Sequence, residues 1–218
     1  MPGPLVVVDY GVNNLGSVYN AFDKLNYPVR LAAHPADLKG ASAIILPGVG
    51  SFDRAREALM QGGFFPVLTD MVLGETPLLG ICLGMQLMCE GSEESREGIP
   101  GIGAVSGSLR RLRGSVKVPH MGWNRVRPRD GYGGGLFAGM PAAPYFYFVH
   151  SYYLDPSEDP GAVLATCQYG DNEIAAVVGR GPLLGTQFHP EKSGTVGLTF
   201  LNNFARTVMH GEAGRWWA

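Results

Sequence analysis

The stretch PLLGICLGMQLMCE, residues 77–90, orders the reading of the whole chain. Pro77-Leu78-Leu79 is apolar enough for a buried strand, Gly80-Ile81-Cys82-Leu83-Gly84 makes a tight turn, and residues 85–90 have the composition of a helix start. Strand, glycine-flanked nucleophile and helix form the layout of a nucleophile elbow, here with Cys in place of Ser. Glycines suit the flanks because the nucleophile sits in a strained backbone conformation where neighbouring Cβ atoms would clash. A helix starting at Cys82 would favour its thiolate through backbone N–H groups and the macrodipole. The competing reading is a small apolar cysteine buried at a strand end.

Upstream, LVVV at 5–8 reads as a central parallel strand buried on both faces. A turn at 11–14 follows, then a helix over 15–25 that Asn13 or Asn14 can cap. Strands are expected at 29–32 and 43–46, the latter closing on Pro47-Gly48-Val49-Gly50. Ser51 reads as the N-cap of a helix through 60, and 64–73 is helical. This βαβα rhythm predicts an α/β fold with a doubly wound, mostly parallel central sheet and helices on both faces. Ligands of such sheets bind outside the carboxyl ends of the strands. Asp9-Tyr10-Gly11, residues 47–50 and Cys82 all fall at such ends.

Downstream, 91–98 is a polar loop and 101–112 contains a strand. Arg110-Arg111-Leu112-Arg113 reads as a solvated basic face, while VPHMGWN at 118–124 is oddly apolar for a surface. Gly133-Gly134-Gly135 lies in a flexible loop without the Gly-Lys-Ser/Thr of a P-loop. Strands at 145–149, 163–169, 174–178 and 183–188 have short connections and form a smaller antiparallel portion. A helix covers 193–210 despite Gly194 and Gly197, and the tail carries Trp216-Trp217. No repeat and no linker divides the chain, so residues 1–218 are expected to be a single domain.

With 17% charged and 45% hydrophobic residues and a formal charge of -2, the composition is globular and gives no electrostatic case for nucleic acid or anionic membrane. Three cysteines, Cys82, Cys89 and Cys167, cannot all pair and do not have zinc-ligand spacing. The expectation is a reduced, cytoplasmic protein without metal or cofactor. The N-terminus lacks a basic n-region, and no apolar run reaches the roughly 18 residues of a membrane span.

A base for the thiol is found at His189-Pro190-Glu191. In an extended segment, residues i and i+2 project to the same side, so Glu191 can hold the His189 ring in one tautomer. His34, His120, His150 and His210 lack an acid so placed. A satisfied structural histidine is the alternative for His189 taken alone. Nucleophile, base and orienter together are what acyl transfer through a thioester requires. An oxyanion hole would take the backbone N–H of Leu83 and a donor from the glycine-flanked loop, at Val49 or Gly50. An ordinary strand-to-helix turn is the other reading of that loop.

GICLGMQ at 80–86 with HPE at 189–191 resembles the class I (triad) glutamine amidotransferases. The resemblance implies that Cys82 attacks the glutamine side-chain amide, that His189 serves as base and then acid, and that Glu191 orients it. It also implies glutamine contacts from Gly48, Gln86, Ser151 and Tyr152. PGVGSF at 47–52, PHMGWN at 119–124, FVHSYY at 148–153 and HPEKS at 189–193 are similar to the glutaminase subunits of imidazole glycerol phosphate synthases. That resemblance implies a cyclase subunit with a (β/α)8 barrel, which takes up the ammonia to make imidazole glycerol phosphate and an aminoimidazole carboxamide ribotide. Asn14, Pro119, Met121, Trp123 and Lys192 then match the partner-facing surface. The isolated subunit is expected to be a poor glutaminase, because the 47–50 loop would need the partner to form the oxyanion hole. Three readings stay beside this one. They are the glutaminase subunit of an anthranilate or aminodeoxychorismate synthase, a catalytically dead glutamine-binding regulator, and a cysteine peptidase.

Overall fold

A strand covered on both faces must be apolar at every position, and β1 (Leu5–Val8) is fully buried along its length. Leu5 and Val7 point into one core and Val6 and Val8 into another. β3 (Ala43–Gly48) repeats the split, with Ala43 and Ile45 on the first side and Ile44 and Leu46 on the second. This two-residue period places helices on both faces. α1 (Leu15–Lys24) packs Val18 and Phe22 into the first core, and α2 (Phe52–Gln61) and α3 (Phe64–Val72) pack Phe52, Leu59, Phe64 and Leu68 into the second. The computed structural model describes residues 2–11, 14–72, 74–131 and 135–211. Asn13, Leu73, Gly133-Gly134 and Trp216-Trp217 lie outside the described residues.

The remaining elements are β2 (Val29–Ala32), β4 (Leu78–Cys82), α4 (Leu83–Gln86), β5 (Cys89–Ser92), β6 (Val105–Arg111), β7 (His120–Pro128), β8 (Tyr145–His150), β9 (Tyr152–Tyr153), β10 (Val163–Tyr169), β11 (Asn172–Arg180), β12 (Leu183–Thr186) and α5 (Gly194–Met209). Nine strands form one sheet in the order β2-β1-β3-β4-β12-β11-β10-β7-β8. The pairings from β2 to β12 are parallel and those from β12 to β8 antiparallel. The fold is the expected α/β sheet with helices on both faces, but the sheet is mixed, with four parallel and four antiparallel pairings, so the antiparallel portion is as large as the parallel one and not smaller. β5, β6 and β9 make a separate three-stranded sheet.

Four local expectations change. Residues 85–90 are not a helix, because α4 stops after one turn at Gln86. Leu87, Met88 and Cys89 are all fully buried, leaving no polar face for a longer helix. Their backbone instead joins β5 to the second sheet through N–H groups donated by Ile102 and Ala104. β7 begins at His120, inside the apolar 118–124 segment, and runs on into the expected loop as far as Pro128. The basic cluster is ion-paired: Arg110 meets Asp155 at 3.2 Å and also Glu158, and Arg113 meets Glu93 at 2.9 Å. β12 ends at Thr186, and His189 leads into a 3-10 turn (Pro190–Lys192) that sits on α5. Gly197 makes that seat, since a Cβ there would lie 1.9 Å from the Pro190 carbonyl oxygen.

Candidate active site

β3, β4 and β12 lie side by side at the centre of the sheet, in a register that pairs Gly48 with Cys82 and Thr186 with Ile81. The carboxyl ends of three parallel strands thus bring the 47–50 loop, the elbow and the 187–191 segment to one place. Cys82 has φ 53 and ψ -107, a region non-glycine residues rarely occupy. The strain turns the side chain out of the strand while the chain enters α4 at once. Gly84 permits this, because a Cβ there would stand 1.8 Å from the Leu46 carbonyl oxygen. The thiol donates to the Val149 carbonyl at 3.8 Å and accepts from the Gln187 side-chain amide at 3.8 Å. With α4 only four residues long, the helix contributes its first N–H groups and little macrodipole.

His189 is fully buried, and its Nδ1 meets Glu191 Oε1 at 2.7 Å. The carboxylate can only accept, so Nδ1 carries the proton. The bond does not arise as an i, i+2 pair of an extended strand. His189 is extended (φ -100, ψ 95), but Glu191 lies in the following 3-10 turn and reaches back from it. The Ser193 hydroxyl donates to the His189 carbonyl at 2.6 Å, and the His189 N–H donates to the Tyr147 carbonyl at 2.9 Å. Asn14 Nδ2 donates to the same Glu191 Oε1 at 2.6 Å. Asn14 is the N-cap residue of α1 by position, yet its side chain makes no cap bond and serves the carboxylate instead.

His189 Nε2 and Glu191 Oε2 are buried without a hydrogen-bond partner. Burial disfavours charge on the imidazole, but Cys82 and then Glu191 outweigh it and push the His189 pKa up to about 10. The Cys82 sulfur acts here through proximity and charge, in an arrangement short of hydrogen-bond geometry. The site therefore favours a proton on His189, next to the sulfur from which a base must take a proton to make the nucleophile.

Cys82 and His189 open into a cavity of about 380 Å³, within the roughly 300–1,000 Å³ of small-molecule sites. Val49, Gly50, Leu83, Gln86, Ser151 and Tyr152 line it, as does Pro119. Gly48 does not line it: its Cα packs so close to Leu83, Gly84 and the Tyr10 hydroxyl that a Cβ would meet them at 2.8–2.9 Å. Gln86 is 5% exposed, and its Nε2 donates to the Tyr152 carbonyl at 2.9 Å and to Gln187 Oε1 at 3.1 Å. Met121 and Trp123 are 63% and 56% exposed on β7, and Pro119 and Lys192 are also at the surface.

Sequence reasoning missed Glu94. It lies in the 91–98 loop, lines the cavity, and accepts from the Phe52 N–H at the start of α2 at 2.8 Å. Burial raises its pKa, the Phe52 bond lowers it and Asp53 raises it, for a net upward shift. The only sequence signal was an acidic residue in a polar loop, which has no periodicity to tie it to Cys82 twelve residues earlier. Contact between the loop and α2 brings it there.

The family profile described as "Glutamine amidotransferase class-I" matches residues 6–208. The chain is 46% identical over 213 residues to the imidazole glycerol phosphate synthase subunit HisH of Moorella thermoacetica, covering 97% of this chain and 99% of that one. It is 45% identical over 207 residues to the HisH subunit of Geobacillus kaustophilus, covering 91% and 94% of the two chains. Its fold is similar to a crystal structure of a glutamine amidotransferase, with TM-score 0.72 at 18% identity, covering 94% and 98% of the chains. No described helix is long and apolar enough to cross a membrane.

Proposed function

This chain belongs to the class-I glutamine amidotransferase family, among the HisH subunits of imidazole glycerol phosphate synthase, and from that premise we propose that it hydrolyses L-glutamine at Cys82 and delivers the ammonia to a cyclase subunit. The observation that carries the reading is the buried His189, held by Glu191 at 2.7 Å, with its Nε2 free beside Cys82 at the cavity wall.

The Cys82 thiol passes its proton to His189 Nε2, and the sulfur attacks the side-chain amide carbon of glutamine and forms the S–C bond of a tetrahedral adduct. The Leu83 N–H and the 49–50 backbone take the negative oxygen. His189 Nε2–H gives its proton to the leaving nitrogen, the C–N bond breaks, and ammonia departs from a γ-glutamyl thioester. Water then loses a proton to Nε2 and attacks the thioester carbon, releasing glutamate and the thiolate. Glu191 and Asn14 keep Nδ1–H in place throughout, which makes Asn14 a positioning residue as well as a neighbour of the proposed interface.

The shared acceptor atom at Glu191 leads to a graded expectation. Asn14 and His189 both donate to Oε1, so Glu191→Gln can keep both bonds with its carbonyl oxygen and loses only charge. Its kcat should fall about ten- to a hundredfold, whereas Glu191→Ala, which leaves Nδ1–H unpaired, should lose about a thousandfold. Equal losses in steady-state assays of the two variants would remove the orienting role.

Glu94 supplies the cavity with a carboxylate suited to the α-ammonium group of the substrate. Its raised pKa means the charge is lost on acidification earlier than for an ordinary carboxylate. The KM for glutamine should therefore rise as pH falls toward the acid range, with little change in kcat. Glu94→Gln should raise KM about tenfold at neutral pH and flatten that acid limb. A KM profile unchanged by the substitution would count against this contact.

Pro119 lines the cavity and is exposed, and Met121 and Trp123 continue from it along β7 to an apolar edge of the molecule. We assign this edge to the cyclase subunit, whose fold we take to be a (β/α)8 barrel. The domain acts as one unit over residues 1–218. A glutaminase assay with and without the cyclase and its nucleotide ligand tests the assignment. Turnover should rise strongly with the partner, and partner-independent turnover would refute the assignment.

A further inference from the structure

His120 and His150 belong to none of the catalytic roles above, yet they are 3% and 6% exposed and linked to each other. His120 Nδ1 and His150 Nε2 are 3.0 Å apart. His150 Nδ1 meets the Tyr152 carbonyl oxygen at 2.9 Å. At the other end, His120 Nε2 lies 3.2 Å from Asn124 Nδ2. The His120 ring is stacked between Phe148, at 4.8 Å between centroids, and Tyr169, at 4.0 Å.

The direction of every bond in this chain follows from its two ends. The Asn124 amide is oriented by two backbone groups: Oδ1 accepts from the Arg125 N–H at 2.7 Å, and Nδ2 donates to the Gln168 carbonyl at 3.0 Å. Nδ2 therefore donates to His120 Nε2, which must hold a lone pair. The Tyr152 carbonyl can only accept, so His150 Nδ1 must carry a proton. One arrangement of neutral rings satisfies both ends: both histidines are Nδ1–H tautomers, and His120 donates to His150. A second proton on either ring would set two donors against each other. Burial accordingly pulls both below the ordinary histidine value, His120 to about 4 and His150 to about 3.

The chain ends at a junction. The Tyr152 carbonyl also accepts from Gln86 Nε2 at 2.9 Å, Gln86 donates on to Gln187 at 3.1 Å, and Gln187 Nε2 reaches Cys82 Sγ at 3.8 Å. We propose that Asn124, His120 and His150 form a one-way hydrogen-bond wire that positions the Ser151–Tyr152 loop and Gln86 over the glutamine cavity. Its outer end, Asn124, lies on β7 and projects from the face opposite to the exposed Met121 and Trp123. Both histidines are positioning residues. The part of the claim that concerns glutamine rests on the glutaminase reading given above.

Two measurements on the full chain separate the wire from that reading. Nitrogen-15 NMR of histidine-labelled protein at pH 7 should show a protonated Nδ1 and a lone-pair Nε2 on both rings. A protonated Nε2 on either ring overturns the wire. Calorimetry with L-glutamine in a Cys82→Ala background, which prevents turnover, reads the positioning. Adding His150→Ala should weaken binding about tenfold, and adding His150→Asn, whose Nδ2 can replace Nδ1 as donor to Tyr152, should stay within about threefold. His120→Phe keeps the aromatic stack and should weaken binding about threefold. Unchanged affinity in His150→Ala, or equal losses in His150→Ala and His150→Asn, overturns the proposal. Absence of glutamine binding by the Cys82→Ala chain itself would sink the glutaminase reading, and the ring tautomers would still decide the wire.

Discussion

Cys82→Ala should lower glutamine-dependent synthesis by at least about a thousandfold while leaving the reaction fed by added ammonium intact. The size follows from what is lost. No other cysteine can take over, since Cys89 and Cys167 are buried and burial pushes both thiols up to about 12. His189 without an adjacent sulfur can still activate water, but the thioester route is closed. The ammonium arm matters because it shows that the cyclase and its docking survive. Side-by-side rates with glutamine and with ammonium, in the complex, check the expectation. Retained glutamine-dependent synthesis would mean that the nucleophile lies elsewhere. Loss of both activities would mean that the substitution has damaged assembly.

Gly84→Ala should be the most damaging single methyl in the molecule's centre. A helical alanine is normally favoured over glycine by about 1 kcal/mol. Here the new Cβ would stand 1.8 Å from the Leu46 carbonyl oxygen and 2.8 Å from its carbon, both backbone atoms of a central strand. Neither β3 nor the elbow can yield without moving Cys82. Overpacking of this kind costs about 3 kcal/mol or more, so the clash outweighs propensity. For a chain of 218 residues that corresponds to a Tm lower by about 10 °C. Thermal unfolding by circular dichroism, with glutaminase activity measured on the same preparation, reads both effects. An unchanged Tm with full activity would show that the elbow is not packed as described.

These two positions also show why parts of the site were legible from sequence. Gly84 and Cys82 sit in one short motif whose strain and packing are local, so the residues themselves carry the message. β1 and β3 were legible because continuous apolar runs leave no other way to be covered. The i, i+2 spacing of His189 and Glu191 marks the pair in the sequence, but the bond is not that of an extended strand, because the chain turns into a 3-10 segment between the two residues. What sequence could not give was set by contacts across the chain. Glu94 reaches the cavity because its loop caps α2. Asn14 reaches Glu191 across 177 positions. The helix expected at 85–90 failed because Leu87 and Met88 are buried and the chain enters a second sheet at Cys89, for which there is no short-range signal. The tautomers of His120 and His150 depend on Asn124 and the Tyr152 carbonyl, neither of which marks itself in the sequence as a partner.

The central claim is that Cys82 carries the glutamyl group during turnover. The most direct measurement is mass spectrometry of the complex after acid quenching during steady-state glutamine turnover, with the chain digested and its cysteine peptides resolved. The account predicts one glutamyl group on the peptide containing Cys82, absent when glutamine is omitted and absent from Cys82→Ala. Glutamate formed at full rate with no glutamyl group on Cys82, or with the group on another residue, would contradict it.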